Sequence, residues 1–412
     1  MTSVLASRTH SAQSSRYIAP DVARGLALLG IALANIPTAW AFAQNADYAS
    51  DFGGVYGTGT WLENLAVVFH TMFVHVRGLP MFTTLLGFGV GLITLSLWRR
   101  GFPVKKARFM LWRRYLLLGA FGVAHLVLLF FGDIIVQYSL TALILIAMIS
   151  FRDRTLMIIA CVLLGLTIAY SMVMSVVALY FPEFMVMDGS IIGLGATESY
   201  LEYVATNGMF LGVTLAGMPM TAVALLSVMI IGFVWARQGV LADVASHLTL
   251  LRAWVAVAGV VVLLVGLPWG LAAIGVLPPA WELPLSLLNT GVGMLTGPGI
   301  LALIALIFRG TEEQITPATR AFVALGRRSM SGYILQSVLF LLITQPFTLN
   351  WGPTAGILGQ MGIALVVWFI TLMWALAWDL LDWPGPVEWA HRRLAYGREG
   401  LPATYRPKQL SA

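Results

Sequence analysis

Tyr115-Leu-Leu-Leu-Gly-Ala-Phe-Gly-Val-Ala-His125-Leu-Val-Leu-Leu-Phe-Phe131 is a continuous apolar run. It is preceded by Arg99, Arg100, Lys105, Lys106, Arg108, Arg113 and Arg114 and followed by Gly132-Asp133. A basic cluster on one side and an acid on the other marks a membrane-crossing helix with a cytoplasmic entrance. The absence of alternating polarity argues against a barrel strand. Composition extends this reading to the whole chain. Of 412 residues, 59% are hydrophobic and 10% charged, where a soluble domain carries roughly 25% charged residues. So few charges cannot coat a water-facing surface. The expected fold is all-α, a polytopic integral membrane protein. A water-soluble enzyme, a disordered chain and a disulfide-built secreted domain are excluded. Cys161 is the lone cysteine and can form no internal disulfide.

A hydrocarbon core of ~30 Å needs about 20 apolar residues per helix. Ten spans are expected, near 22–43, 80–98, 114–131, 134–150, 155–181, 211–236, 253–275, 288–308, 330–348 and 356–381. Residues 62–76 form a further apolar stretch, broken before the second span by His75, Arg77, Gly78 and Pro80. It reads as an interfacial or kinked extension. Residues 182–208 could form a short amphipathic cover. The formal charge of +6 does not point to nucleic acid, because of where the charges lie. Apart from Arg24 and Arg77, the basic residues fall in the N-terminal tail, from Arg8 and Arg16, in alternate loops, or in the C-terminal tail to Lys408. Asp47, Asp51, Asp133, Glu183, Asp188, Glu198, Glu202 and Glu282 fall in the others. This bias predicts both termini on the cytoplasmic side of a bacterial inner membrane. The division is an N-terminal tail 1–20, one transmembrane domain 21–381 and a C-terminal tail 382–412. Ala41-Phe42-Ala43 resembles a signal-peptidase site, but Asp21 and Arg24 at the entrance of the run argue against cleavage.

Charged and polar groups in lipid are costly, at least ~2.5–3.5 kcal/mol for a charge, so each needs a reason. Asp21 and Arg24, three residues apart, can pair on one helix face. Asn35 lies ~21 Å further along that helix, in its outer half. His125 lies ~16 Å beyond Arg114, also in an outer half. It can cycle a proton near neutrality, or it can bond two helices together. Asp133, Gln137 and Tyr138 follow closely, and Asp133 could orient the imidazole. His70, His75 and Arg77 approach the same level, with Arg77 a candidate cation for a polarised substrate group. No spacing suggests a metal site, and none is expected. Near the inner surface, Arg328, Ser329, Tyr333 and Gln336 open the ninth span, and 329, 333 and 336 share one face. The glycines of Gly87-Phe-Gly89-Val-Gly91 and Gly291-Val-Gly293 read as close helix packing.

The chain resembles the bacterial YeiB family of membrane proteins. The likeness is carried by Asp21-Val-Ala-Arg24-Gly-Leu-Ala-Leu-Leu-Gly-Ile31 with Asn35, and by Phe82-Thr-Thr-Leu-Leu-Gly-Phe-Gly89. It continues through Gly122-Val-Ala-His125 with Asp133 and Tyr138, Gly326-Arg327 with Tyr333 and Gln336, and Gly385-Pro-Val-Glu388-Trp389. The family pattern looks like Thr-Asn-Tyr where this chain has Ser331-Gly332-Tyr333. Members of that family are mostly uncharacterised and have been labelled as candidate transporters. The opening Asp-x-x-Arg-Gly helix is also similar to that of heparan-α-glucosaminide acetyltransferase-like transmembrane acyltransferases. That likeness implies a cytosolic acyl-CoA donor and a glycan acceptor on the far side.

Two functions therefore stand as expectations. The first is acyl transfer from acyl-CoA to an extracytoplasmic glycan, glycolipid or similar acceptor. His125 would be the base, Asp133 its orienter and Asn35 the oxyanion donor. His70, His75, Arg77, Gln137 and Tyr138 would hold the acceptor, and Asp21, Arg24, Arg328, Ser329, Tyr333 and Gln336 the donor. The second is transport of a small solute or lipid along the same polar groups. The partners expected are the lipid bilayer, acyl-CoA and the acceptor, with a homodimer left open.

Overall fold

The computed structural model describes residues 18–41, 59–184, 197–309 and 316–405. The expectations for Arg8, Arg16, Asp47, Asp51, Asp188, Lys408 and the sequence after Ala41 lie outside the described residues. The described chain is helical throughout, as a bilayer core demands of a backbone that must satisfy its own N–H and C=O groups. α1 (Ile18–Asn35) continues into a π turn, Ile36–Trp40. Next come α2 (Trp61–Phe73), α3 (Gly78–Arg99), α4 (Val104–Leu128), α5 (Ile135–Ala147), α6 (Asp153–Tyr180) and α7 (Tyr200–Gln238). The second half holds α8 (Leu248–Val261), α9 (Leu267–Ala273), α10 (Glu282–Val292), α11 (Thr296–Ile307), α12 (Pro317–Arg327), α13 (Ser329–Thr344), α14 (Ile357–Leu380) and α15 (Pro386–Tyr396).

Among the described residues, 8 helical stretches are long and apolar enough to cross a membrane, and α5 and α13 are shorter apolar helices. The ten expected spans fall on these eight helical stretches and two shorter helices, and the protein is a multi-pass membrane protein. Residues 62–76 are the kinked extension: α2 leads into α3 through a break at Val74–Arg77. The cover expected over 182–208 is replaced in part by helix, because residues from Tyr200 onward run without interruption into α7. Its 39 residues span about 58 Å at 1.5 Å per residue, roughly twice the hydrocarbon thickness.

Small residues set the helix spacing at the centre. A Cβ at Gly87 would fall 1.9 Å from the Met229 carbonyl oxygen, and one at Gly232 would fall 1.9 Å from that of Thr84. α3 and α7 are therefore in backbone contact. Gly326 allows the same approach of α12 to α1 at Asp21. In lipid such contact replaces the hydrophobic effect as the glue between helices. Gly89 serves otherwise: its nearest neighbour is the Arg24 guanidinium, 3.9 Å from where a Cβ would stand.

Candidate functional site

Two cavities lie end to end along α1. The first, about 380 Å³, is lined near Asp21 by Arg24, Arg114, Arg327, Ser329, Glu388 and His391. The second, about 560 Å³, lies toward Asn35 and reaches α6, α7, α10 and the break after α2. Ile31, Ile134, Tyr138 and Tyr333 line both. These four side chains are the partition between them.

The first cavity is cationic. Asp21 Oδ1 accepts a 3.0 Å bond from Arg24, and its Oδ2 lies 3.6 Å from Arg327 Nε. Glu388 accepts the backbone N–H groups of Met330 and Ser331 at 2.7 and 3.2 Å, together with the Ser331 hydroxyl. Those amides are orphans of the first turn of α13, so a carboxylate from α15 caps that helix from outside it. Arg114 donates to the Tyr396 hydroxyl at 3.4 Å and pairs with no carboxylate among the described residues. The cavity thus carries three guanidiniums against two carboxylates. α15 closes it: His391 Nε2 donates to the Arg114 carbonyl at 2.8 Å, and Arg113 donates to that of Ala395. Burial, with Arg114 beside it, pushes His391 down to about 4.

The second cavity contains no Asp, Glu, Lys or Arg in its lining. Its serine and threonine hydroxyls share one bonding mode. Thr38, Thr167, Ser171, Thr221 and Thr290 each donate to a carbonyl three or four residues earlier on their own helix. Their oxygens are left as acceptors. Asn35 lines this cavity, and none of the hydrogen bonds among the described residues involves its side chain. Tyr138 donates to the Leu79 carbonyl at 3.1 Å and stacks on Phe82.

His125 and Asp133 do come together. His125 Nδ1 lies 2.8 Å from Asp133 Oδ1, and Nε2 lies 2.8 Å from Ser337 Oγ. A carboxylate at Nδ1 holds a proton there, and the Ser337 hydroxyl, which also reaches the Tyr333 carbonyl, faces Nε2. Asp133 Oδ2 accepts the Val136 N–H at 2.9 Å in the first turn of α5. The order Asp-His-Ser is that of a hydrolase triad, but all three are buried and none lines either cavity. What the group touches is Tyr333, whose ring centroid stands 4.9 Å from that of His125. The knot joins α4, the loop before α5 and α13, and so holds the partition in place.

The remaining expected residues divide. His75 lines the second cavity, with Asn35 and Tyr138. His70 lies behind it, fully buried, with Nε2 2.9 Å from the Leu33 carbonyl. Arg77 lines neither cavity. Its guanidinium donates to the carbonyls of Thr71, Met72 and Val76 and to Asn289 Oδ1, pinning the α2–α3 break. Gln137 lines neither cavity. Arg328 donates to the Trp383 and Ala324 carbonyls and to Asp379, tying α13 to the end of α14. Gln336 donates to the Leu28 carbonyl at 3.4 Å, outside both cavities. Asp21, Arg24, Ser329 and Tyr333 do share the cationic cavity.

Sequence reasoning missed Ser337, Arg114, Glu388 and His391. Ser337 carries little signal, since a serine in an apolar helix ordinarily bonds its own backbone, as this one also does to Tyr333 at 3.2 Å. Glu388 and His391 were hidden by their distance in sequence, although Gly385-Pro-Val-Glu388 has the form of a helix start.

Among known proteins, the chain is 23% identical to the uncharacterized protein YxaH of Bacillus subtilis (strain 168) over 414 residues, covering 91% of this chain and 93% of that protein. No solved structure matches. Residues 235–398 match the family model described as protein of unknown function (DUF418), which is the YeiB-type family. The matched segment contains α12, α13 and α15, so one wall of the cationic cavity and Tyr333 of the partition lie in a region similar to a family of unknown function.

Proposed function

We propose that the protein is a membrane-embedded acyltransferase, moving an acyl group from a cytosolic acyl-CoA to an extracytoplasmic glycan, glycolipid or similar acceptor. Its setting is a bacterial inner membrane with both termini cytoplasmic. The observation that carries this reading is the pair of cavities of unlike chemistry sharing one thin wall. A cationic cavity suits the phosphates of a CoA, which guanidiniums bind by charge-assisted hydrogen bonds. A charge-free cavity suits an acceptor without phosphate. The wall at Tyr138 and Tyr333 is where a thioester and a nucleophile would meet. Asn35 offers an amide N–H to the developing oxyanion. His125, bonded through both nitrogens, positions Tyr333.

A transporter is the second reading, favoured by a specific feature. The α2–α3 break and the π turn at Ile36–Trp40 adjoin the second cavity, and interrupted helices at a central site are a transporter device. Proteoliposomes supplied with radiolabelled acetyl-CoA separate the two. Labelled ester or amide on the lumenal side is the expected result. No product across a panel of acyl donors, with uptake of a labelled solute, would replace enzyme by transporter.

A further inference from the structure

His75 stands apart from the buried histidines His70, His125 and His391. It occupies the break between α2 and α3, and the next residue, Val76, has φ of 55°. A β-branched residue in that region is an outlier, and such strain persists only where its surroundings enforce it. Here Arg77 enforces it through three carbonyls of the same turn. Glycines make room for that guanidinium: Cβ atoms at Gly266 and Gly293 would lie 3.1 and 3.0 Å from its nitrogens. The product of this construction is the placement of one imidazole. The ring sits edge-on to Trp269, centroids 4.9 Å apart, and lines the charge-free cavity. Its Nδ1 is buried without a hydrogen-bond partner among the described residues. Among the described residues neither nitrogen is hydrogen-bonded, in contrast to His125.

We infer that the charge-free cavity binds an uncharged, hydroxyl-bearing acceptor with an apolar body, and that His75 is the group that takes its proton. This rests on the acyl-transfer reading. The hydroxyls of Thr38, Thr167, Ser171, Thr221 and Thr290, each already donating to its own helix, suit a ligand that brings O–H donors. Met174, Met220, Leu225 and Leu287 complete the lining and require an apolar portion. A charged ligand would enter without a counter-ion, at the cost that keeps unpaired charges out of membranes. In the reaction, the acceptor oxygen attacks the thioester carbonyl carbon and the C–O bond forms as His75 accepts the hydroxyl proton. The tetrahedral intermediate then collapses, the C–S bond breaks, and the thiolate takes the proton back from His75. The products are an ester and free CoA thiol.

The test has two arms on the full chain in nanodiscs. In the first, histidines are carbethoxylated with diethyl pyrocarbonate and mapped by mass spectrometry. His75 should react faster than His125. Octyl glucoside should slow it by about tenfold, and octyl phosphate, equal in body but charged, should not. Reaction at His75 no faster than at His125, or equal protection by both amphiphiles, overturns the inference. This arm uses the wild-type protein and does not depend on any variant folding. The second arm measures ester formation from labelled acetyl-CoA and octyl glucoside. His75→Gln should lower kcat by about 10²–10⁴-fold with the KM for acetyl-CoA unchanged. Wild-type turnover in that variant overturns the proton-transfer role. If wild type forms no ester while His75 is still selectively protected, the acyl-transfer reading falls and takes the proton-transfer role with it, and the neutral-ligand site alone stands.

Discussion

His75 and His125 are both imidazoles set into apolar spans, and their surroundings are opposite. His125 has a partner on each nitrogen, at 2.8 Å in both cases, and lies behind the partition. His75 has neither nitrogen committed among the described residues, lines a cavity and sits on a strained turn. A histidine in lipid must be explained, and these two surroundings differ in kind: one imidazole holds helices together, the other lines a cavity. The two cavities repeat the contrast. One gathers three arginines and closes under α15; the other is lined by no Asp, Glu, Lys or Arg and by serine and threonine hydroxyls.

The sharpest way to break this contrast is to exchange the two histidines' fates. His125→Gln, which keeps hydrogen-bonding capacity, should retain transfer within about tenfold, whereas His75→Gln should lose about 10²–10⁴-fold. A reversed ranking in single-turnover assays would move the chemistry to His125. The next effect is on stability. Asp133→Ala removes partners from both His125 and the Val136 N–H, at a cost of about 3 kcal/mol, since bonds to a charged acceptor are worth about 1.5–3 each. Thermal unfolding in detergent should fall accordingly, and His75→Gln should leave it nearly unchanged.

A third, smaller effect separates the cavities. Arg114→Gln should raise the KM for acetyl-CoA about tenfold, as expected for one charge-assisted bond, without altering octyl glucoside protection of His75. Loss of both would mean that the cavities do not act separately. The smallest effect concerns α15. His391 is held neutral in the folded protein, at about 4, below its ordinary 6.5. Its contribution to docking is therefore complete above 6.5 and is lost as pH falls toward 4, where the undocked helix binds the extra proton. Proteolysis near Tyr396 should accelerate over that window, and His391→Gln should flatten the dependence.

The all-helical membrane fold, the ten apolar segments and the break before Pro80 were legible in sequence because lipid imposes a length and a polarity on every spanning element. The pairing of His125 with Asp133 was legible too, being local, at a separation of eight residues. Arg77 shows where local reading ends. It looked like an unattached cation facing substrate, and the fold spends it on carbonyls of the preceding turn and on Asn289, 212 residues away.

Sequence by itself thus determined the solvent of this protein, the number of its apolar segments and the identity of the polar groups that lipid would not tolerate without cause. The tertiary structure alone decided which of those groups face a cavity and which are consumed in holding helices together. The reason is physical. A residue's cost of burial depends on its own chemistry, which is written in the chain. Its role depends on which atoms satisfy it, and those are supplied by helices 58 to 212 residues away: α13 for His125, α10 for Arg77 and α15 for the first turn of α13.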